Sequence, residues 1–209
     1  MALVRSRRAV LGFGVLLVSP MARRAALSRP EDAKPGMSLA GQFLVATRDM
    51  SDPRFQRTVI LMAQHSDTGA LGIVINRPVN EVPVAKLLDA LGLESKGSKG
   101  SVRVFAGGPV EPQDGFVVHS AEYHRPGTIA IDGRVALTSD PEALRDVARG
   151  NGPRQSLVAF GYAGWGPGQL ESEIAAAGWF TFPEEPKLVF DFDRDKLWEE
   201  AMKHHTITL

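Results

Sequence analysis

The residues best suited to chemistry lie between positions 160 and 174, in the segment FGYAGWGPGQLESEI. Four glycines accompany Tyr162, Trp165 and Pro167 there. Glycine at this density indicates a backbone that adopts positive φ or that other atoms approach closely. Proline suits the first turn of a helix, and the apolar residues that follow it recur at helical spacing. The segment therefore predicts a rigid aromatic loop leading into a helix N-terminus, which suits an anion or a carboxylate.

Other polar residues stand where predicted strands end. His65 and His119 could form an acid–base pair or bind a metal, or each could simply hydrogen-bond backbone at the rim of a sheet. Arg77 could hold an anion. Because binding residues gather in strand-end loops, we expect one pocket. Its candidate members are His65, Asn76, Arg77, Gly107, Gly108, Pro109, His119, Gly161, Trp165 and Gln169.

Several familiar catalytic patterns are missing from the chain. It contains no cysteine, and no serine lies in a G-x-S-x-G context. The Gly107-Gly108-Pro109 turn lacks the Gly-Lys-Ser/Thr ending of a phosphate loop. Glu171 and Glu173 project to different sides of a helix and do not form a carboxylate pair. We therefore expect no metal and no cofactor, and no catalytic residue can be assigned.

Charge is distributed unevenly along the chain. Residues 1–36 hold seven of the 24 basic residues and two of the 24 acidic ones, so positions 37–209 carry 17 basic and 22 acidic residues. An acidic body is poorly suited to nucleic acid, because Lys and Arg supply most of the affinity for phosphates. We expect no direct specific binding to DNA, and a partner that is instead a small anionic ligand or a protein.

The first 36 residues lie outside the predicted domain at 38–205 and are interpreted as a disordered or signal-like leader. Positions 6–18 contain Arg7-Arg8 followed by an apolar run and resemble a twin-arginine export signal. That run is too short to span a bilayer. The alternative is a leader without a targeting role, which favours a cytoplasmic protein with no membrane span.

The rest of the chain predicts more strands than helices, with several strands paired as hairpins, which indicates an α+β fold with a mixed or partly closed sheet. The Asp132-Gly133 turn divides one such hairpin, and His204-His205 are expected to form a solvated tail. Strands are predicted at 42–47, 57–64, 70–76, 102–105, 115–119, 129–137, 157–160, 179–182 and 187–190, and helices from 83, over 140–150 and over 193–203.

Six motifs, taken together, resemble those of the AlgH/YqgE family of bacterial proteins. The resemblance covers about residues 39–190 and implies a compact α+β fold with a largely antiparallel, barrel-like sheet flanked by helices. In chain order the motifs are Gly41-Gln42-Phe43-Leu44-Val45-Ala46, Asp52-Pro53-Arg54-Phe55, His65 with Gly69-Ala70-Leu71-Gly72, Asn76-Arg77-Pro78, Gly107-Gly108-Pro109-Val110 and the segment 161–173.

The family resemblance implies no established reaction. Members are often called transcriptional regulators because of a phenotype rather than a DNA-binding motif. This chain has Gln64 where the family commonly has Glu before the histidine, which weakens a catalytic Glu–His pair. Two hypotheses result: a non-enzymatic regulatory or binding protein that affects transcription indirectly, and an enzyme that acts on an anionic metabolite with His65 or His119 as base.

The acidic body predicts that this protein does not recognise duplex DNA directly. Fluorescence anisotropy at physiological salt should show no sequence-specific complex with a dissociation constant below about 10⁻⁶ M, the range of generic phosphate binding. Weak binding that disappears as salt rises is compatible with this prediction. Tight, sequence-dependent binding that survives added salt would contradict it.

Overall fold

The computed structural model describes residues 38–205, so the predicted leader at 1–36 lies outside the described residues. Ten strands form within this range: β1 Gln42–Ala46, β2 Val59–Ser66, β3 Gly69–Val74, β4 Pro78–Pro83, β5 Ser101–Ala106, β6 Val110–Ser120, β7 Ile129–Ala130, β8 Val135–Thr138, β9 Ser156–Trp165 and β10 Trp179–Pro183. The helices there are α1 Val84–Ala90, α2 Glu142–Arg149, α3 Gln169–Ala175, α4 Pro186–Phe190 and α5 Leu197–His205.

The strands form one mixed sheet in the order β10-β1-β2-β3-β9-β6-β8-β7, and β5 with its partner β4 branches from β9. Strand pairs are antiparallel except β5 with β9. The α+β class and the predicted β2–β3 and β7–β8 hairpins are confirmed. The sheet does not close into the expected barrel, because β10 and the two-residue β7 lie at opposite ends of the order and do not pair.

Both faces of the central strands are buried, as their apolar sequences predict. Successive residues of β1 alternate between two core clusters: Phe43 and Val45 lie in one, Leu44 and Ala46 in the other. Helices α4 and α5 contribute to the first cluster, and α3 covers the second with Leu170. A third cluster joins α1 and α2 to β6 and β9. The helices thus lie on both faces of the sheet. The packing of Leu170 holds α3 beside the end of β9.

Two expectations for the C-terminal part of the chain are wrong. The segment 187–190, predicted to be a strand, is helical. Pro186 begins α4, and the helix buries the side chains of Leu188 and Val189. His204 and His205 do not form a separate tail but end helix α5, where His204 is half-buried and His205 is exposed. Their rings pack on Phe182 and Phe180, with centroids 4.0 and 4.6 Å apart. This contact ties the end of α5 to the edge strand β10.

No helix within residues 38–205 is long and apolar enough to cross a membrane.

Glu184 is a buried carboxyl group at the end of β10, with 1% of its surface exposed. Burial raises the pKa of Glu184 to about 8, and the neighbouring Asp132 acts in the same direction. The Arg134 guanidinium lies 2.8 Å from Glu184 Oε1 and opposes this shift. Burial in the folded protein therefore favours the protonated form of this carboxyl group.

A raised folded-state pKa means that Glu184 stabilises the fold at low pH, and that this contribution is lost as pH rises from about 4.5 to about 8. Glu184→Gln keeps the shape of the side chain and cannot ionise. We expect the free energy of unfolding of this variant, relative to wild type, to increase by roughly 1 kcal/mol or more between pH 5 and pH 9. Urea unfolding at both pH values measures this change.

The exposed neighbour provides the control: Glu185→Gln should show no comparable gain with pH. A difference between Glu184→Gln and wild type that stays constant from pH 5 to pH 9 would contradict the buried-acid assignment.

Candidate binding cleft

A cleft of about 360 Å³ lies between the loop at 49–55 and helix α3. Phe55, Trp165 and Trp179 form its aromatic wall, with ring centroids 5.5 to 6.5 Å apart. Trp165 ends β9 and Trp179 begins β10, so two strands of one rigid sheet position the rings. The other lining residues are Asp49, Met50, Ser51, Asp52, Arg54, Pro109, Val110, Gly164, Gln169, Glu173, Ala176 and Gly178.

Glu173, on α3, organises the aromatic wall. Its Oε2 accepts hydrogen bonds from Trp165 Nε1 at 3.0 Å and from Trp179 Nε1 at 2.8 Å. Its Oε1 accepts a hydrogen bond from Gln169 Nε2 at 2.9 Å. Buried indole N–H groups need a partner, and here one carboxylate serves both. This single side chain therefore holds α3, β9 and β10 in register around the cleft.

The charges of the cleft are mainly negative. Asp49, Asp52 and Glu173 face one cation, Arg54, which lies 2.7 Å from Asp52 Oδ2. The hydrogen bonds from Arg54 hold the pKa of Asp52 below its ordinary value. Asp49 is exposed at the rim, and within residues 38–205 no ion pair engages it. These charges do not favour the anionic ligand that the glycine motif suggested.

Three of the predicted site residues line this cleft: Pro109, Trp165 and Gln169. The others lie elsewhere, so the structure does not gather all ten candidates around one pocket. Whether any of them binds a ligand stays a prediction.

Gly107, Gly108 and Gly161 are packed against one another rather than open to a ligand. A Cβ on Gly107 would lie 2.3 Å from Gly161 O, and one on Gly108 would lie 2.0 Å from the carbonyl carbon of Tyr162. Gly161 itself has φ +73°, which disfavours a side chain. The close approach that glycine permits is thus between the 107–108 turn and β9. The segment 161–169 was expected to be a loop. Its residues up to Trp165 instead belong to strand β9, because β3 and β6 pair with them.

Asn76 and Arg77 hold the 54–59 segment in place. Asn76 accepts a hydrogen bond from the Val59 N–H at 2.9 Å. Arg77 donates to the carbonyls of Arg54 and Gln56, at 2.5 and 3.1 Å, and burial lowers its pKa. The guanidinium is engaged by backbone, so Arg77 positions the loop that carries Phe55 rather than lining the cleft itself.

His65 supports α3 from outside the cleft. The Leu39 N–H donates to His65 Nδ1 at 3.1 Å, and Nε2 lies 2.8 Å from Glu171 Oε1. A neutral ring that accepts at Nδ1 carries its proton at Nε2 and donates it to Glu171. Glu171 and Glu173 therefore point to different partners, as their spacing predicts.

His119 is remote from the aromatic wall. It pairs with Ser156, at the other end of β9 from Trp165, roughly 30 Å away at the usual rise per residue. The ring is fully buried, which lowers its pKa. Its Nδ1 donates to Ser120 O at 3.0 Å, and the ring stands edge-on to Tyr123. The two histidines thus do not form a pair, and no cluster suited to a metal exists within residues 38–205.

Asp49, Phe55, Glu173 and Trp179 line the cleft but are not among the predicted site residues. The sequence did contain one signal for Glu173. Gln169 and Glu173 are four residues apart and therefore lie on the same face of α3, close in sequence to Trp165 at the end of β9. The contribution of the 49–55 loop had no such signal, because its contact with α3 spans more than 100 residues.

Comparison with known proteins agrees with this fold. The family model DUF179, described as AlgH-like, matches residues 43–209. A UPF0301 protein from Jannaschia sp. is 43% identical over 79% of this chain and 87% of its own, and one from Methylococcus capsulatus is 41% identical over 86% and 98%. The solution structure of AlgH from Pseudomonas aeruginosa, also UPF0301, covers 84% of this chain and 92% of its own with a TM-score of 0.69 and 31% identity. A Corynebacterium diphtheriae crystal structure, 23% identical with a TM-score of 0.61 over 86% of this chain and 90% of its own, shares the fold.

Gly107→Ala tests whether the glycine turn is structural. The added methyl group would meet the Gly161 carbonyl, and strained packing of this kind costs roughly 1–3 kcal/mol. We expect the free energy of unfolding to fall by about that amount, measured by urea denaturation. Gly133→Ala is the matched control, because nothing lies within 4 Å of a Cβ at that position. Equal stability of the two variants would contradict the assigned role.

Proposed function

We propose a binding function for this chain, which belongs to the AlgH-like family of proteins. In this proposal the protein is a non-enzymatic regulatory protein, and the cleft between loop 49–55 and α3 receives a small ligand or a segment of a protein partner. One observation carries the proposal: the Glu173 carboxylate of α3 accepts hydrogen bonds from both indole N–H groups of the aromatic wall, and so fixes Trp165 of β9 and Trp179 of β10 beside the cleft.

Preorganisation of the wall supports binding as the task of the cleft. The centres of small-molecule sites are mostly apolar, with few polar groups, and most are formed before the ligand arrives. Phe55, Trp165 and Trp179 provide the apolar surface here, and Glu173 fixes both indole rings. Since the rings are already ordered, a ligand loses little binding energy to ordering them.

The enzyme alternative receives less support from the same contacts. It required Arg77 as an anion clamp and His65 or His119 as a base. Arg77 donates to two backbone carbonyls, and the ring of His65 bridges a backbone N–H and a carboxylate. His119 is fully buried at the far end of β9. None of the three lines the cleft, so we place no reaction there.

We further propose that any effect on transcription is indirect, through the ligand or partner, because the acidic body offers little to a phosphate backbone. We assign this function to the cytoplasm, with export by the signal-like residues 6–18 as the alternative.

A blocked cleft tests the proposal. Ala176, which directly follows α3, is exposed and lines the cleft, whereas Ala175, the last residue of α3, is exposed and does not line it. Native mass spectrometry of the protein purified from its own cells should show a bound compound or partner on wild type and on Ala175→Phe. Ala176→Phe should lose it, because the ring fills the cleft.

Retention of the same bound mass by Ala176→Phe would place the ligand elsewhere and contradict the proposal. Absence of any bound mass on wild type, under conditions that preserve weak complexes, would also count against it. Equal melting temperatures of the two phenylalanine variants would show that lost binding is not lost folding.

A further inference from the structure

We infer that the cleft recognises a guanidinium group carried on an apolar stem, as in an arginine side chain. This inference rests on the binding function proposed above and adds the chemical class of the ligand. The source of the group is either a small guanidine compound or an arginine of a partner protein, since both present the same head and stem.

The charge balance of the cleft favours a cation. Three carboxylates line it, those of Asp49, Asp52 and Glu173, against the single guanidinium of Arg54. Arg54 is itself held by Asp52 through its Nε and Nη2 atoms. The charge of Asp49 is exposed at the rim, and within the described chain no ion pair engages it, so it can meet an incoming cation.

The N–H groups that could donate hydrogen bonds to an anion already donate to acceptors within the cleft wall. Both indole N–H groups donate to Glu173, and so does the amide of Gln169. The backbone N–H of Gly166, just before α3, donates to Gln169 Oε1 at 3.1 Å. An anion entering the cleft would have to break these bonds, whereas a cation would leave them in place.

Arg54 shows how a guanidinium group can be placed at the rim of the cleft. Its guanidinium carbon lies 5.8 Å from the centroid of the Phe55 ring while its nitrogens bind the Asp52 carboxylate. An aromatic face beside a carboxylate is the arrangement in which cation–π attraction and a charge-assisted hydrogen bond act together. The Arg54 side chain is 66% exposed, so it lies at the rim of the cleft.

The remaining walls suit the stem of such a ligand. Met50, Pro109, Val110 and Ala176 contribute apolar surface to the cleft. Methylene groups of an arginine side chain commonly lie along apolar surface while the charged head seeks polar partners. The volume of about 360 Å³ accommodates a side chain of this size together with neighbouring atoms.

Isothermal titration calorimetry with matched peptides tests the inference on the full chain. Acetyl-Gly-Arg-Gly-amide should bind, and the same peptide with citrulline, which has the shape of arginine without its charge, should bind at least about tenfold more weakly. Binding should weaken as salt rises. Agmatine, a free guanidine with no peptide backbone, distinguishes the two sources: equal affinity indicates a small-molecule ligand, and markedly weaker affinity indicates a partner peptide.

Two substitutions at the rim give opposite expected effects. Asp49→Asn should weaken binding of the arginine peptide roughly two- to fivefold, the usual value of one exposed ion pair. Asp89→Asn, an exposed aspartate on α1 that does not line the cleft, is the charge-matched control and should change nothing. Arg54→Ala should tighten binding, because it removes a competing cation, whereas the affinity of an anion would fall.

Absence of saturable binding of both guanidinium probes up to millimolar concentration overturns the inference, and so does weaker binding by Arg54→Ala. Inorganic phosphate and glutamate serve as anionic probes. If either binds in a manner that Ala176→Phe abolishes, the guanidinium assignment fails while the proposed binding function stands. If Ala176→Phe keeps the bound mass found on the native protein, that result instead contradicts the proposed function itself.

Discussion

The fold depends on the close approach of the turn at Gly107 and Gly108 to the backbone of β9. β9 pairs with β3, β5 and β6, so the sheet branches on this one strand. Gly107 joins β9 to one of these partners, since its N–H donates to Phe160 O on β9 and its carbonyl accepts from the Val74 N–H on β3. A side chain at either glycine would separate the turn from β9. The branch therefore exists only because two backbones meet without side chains between them.

The cleft is a consequence of how that branched strand ends. Trp165 is the last residue of β9, and α3 begins four residues later, which places Glu173 below the indole ring. The same carboxylate reaches Trp179 on β10, which reaches the centre of the sheet through β1. Arg77 fixes the backbone on either side of Phe55, the third ring of the wall, because it donates to the carbonyls of Arg54 and Gln56. The tryptophan and arginine side chains that suggested a binding role thus build or support the walls of the cleft, and the preference for a cation that we propose rests on the carboxylates at the rim.

The similarity to solved structures concerns the fold and does not identify the residues of a binding site. The sheet and its helices are shared with the Pseudomonas aeruginosa AlgH structure at 31% identity and with the Corynebacterium diphtheriae structure at 23%. In this chain the glycine turn on β9 is a contact between backbones, and it requires only that Gly107 and Gly108 lack a side chain. The ligand recognition that we propose depends instead on particular side chains at the rim of the cleft, such as Asp49 and Arg54.

The sequence by itself determined the α+β class, the two hairpins and most element positions, because alternation, turn residues and caps act over a few neighbouring residues. It also indicated that Trp165 and Gln169 stand together, since a short glycine segment joins them. It could not show that Lys187 to Phe190 are helical, because four apolar and basic residues fit either structure and burial against the core decided it.

Tertiary structure alone decided the site. Asp49, Glu173 and Trp179 meet there although more than 100 residues separate the first from the other two, and no local pattern records such a contact. It also separated His65, Arg77 and His119, which all follow or end strands: His65 lies on β2, Arg77 follows β3, and His119 lies on β6. The direction and order of strands in a sheet depend on long-range pairing, so residues at strand ends share a cleft only when that pairing brings the ends together.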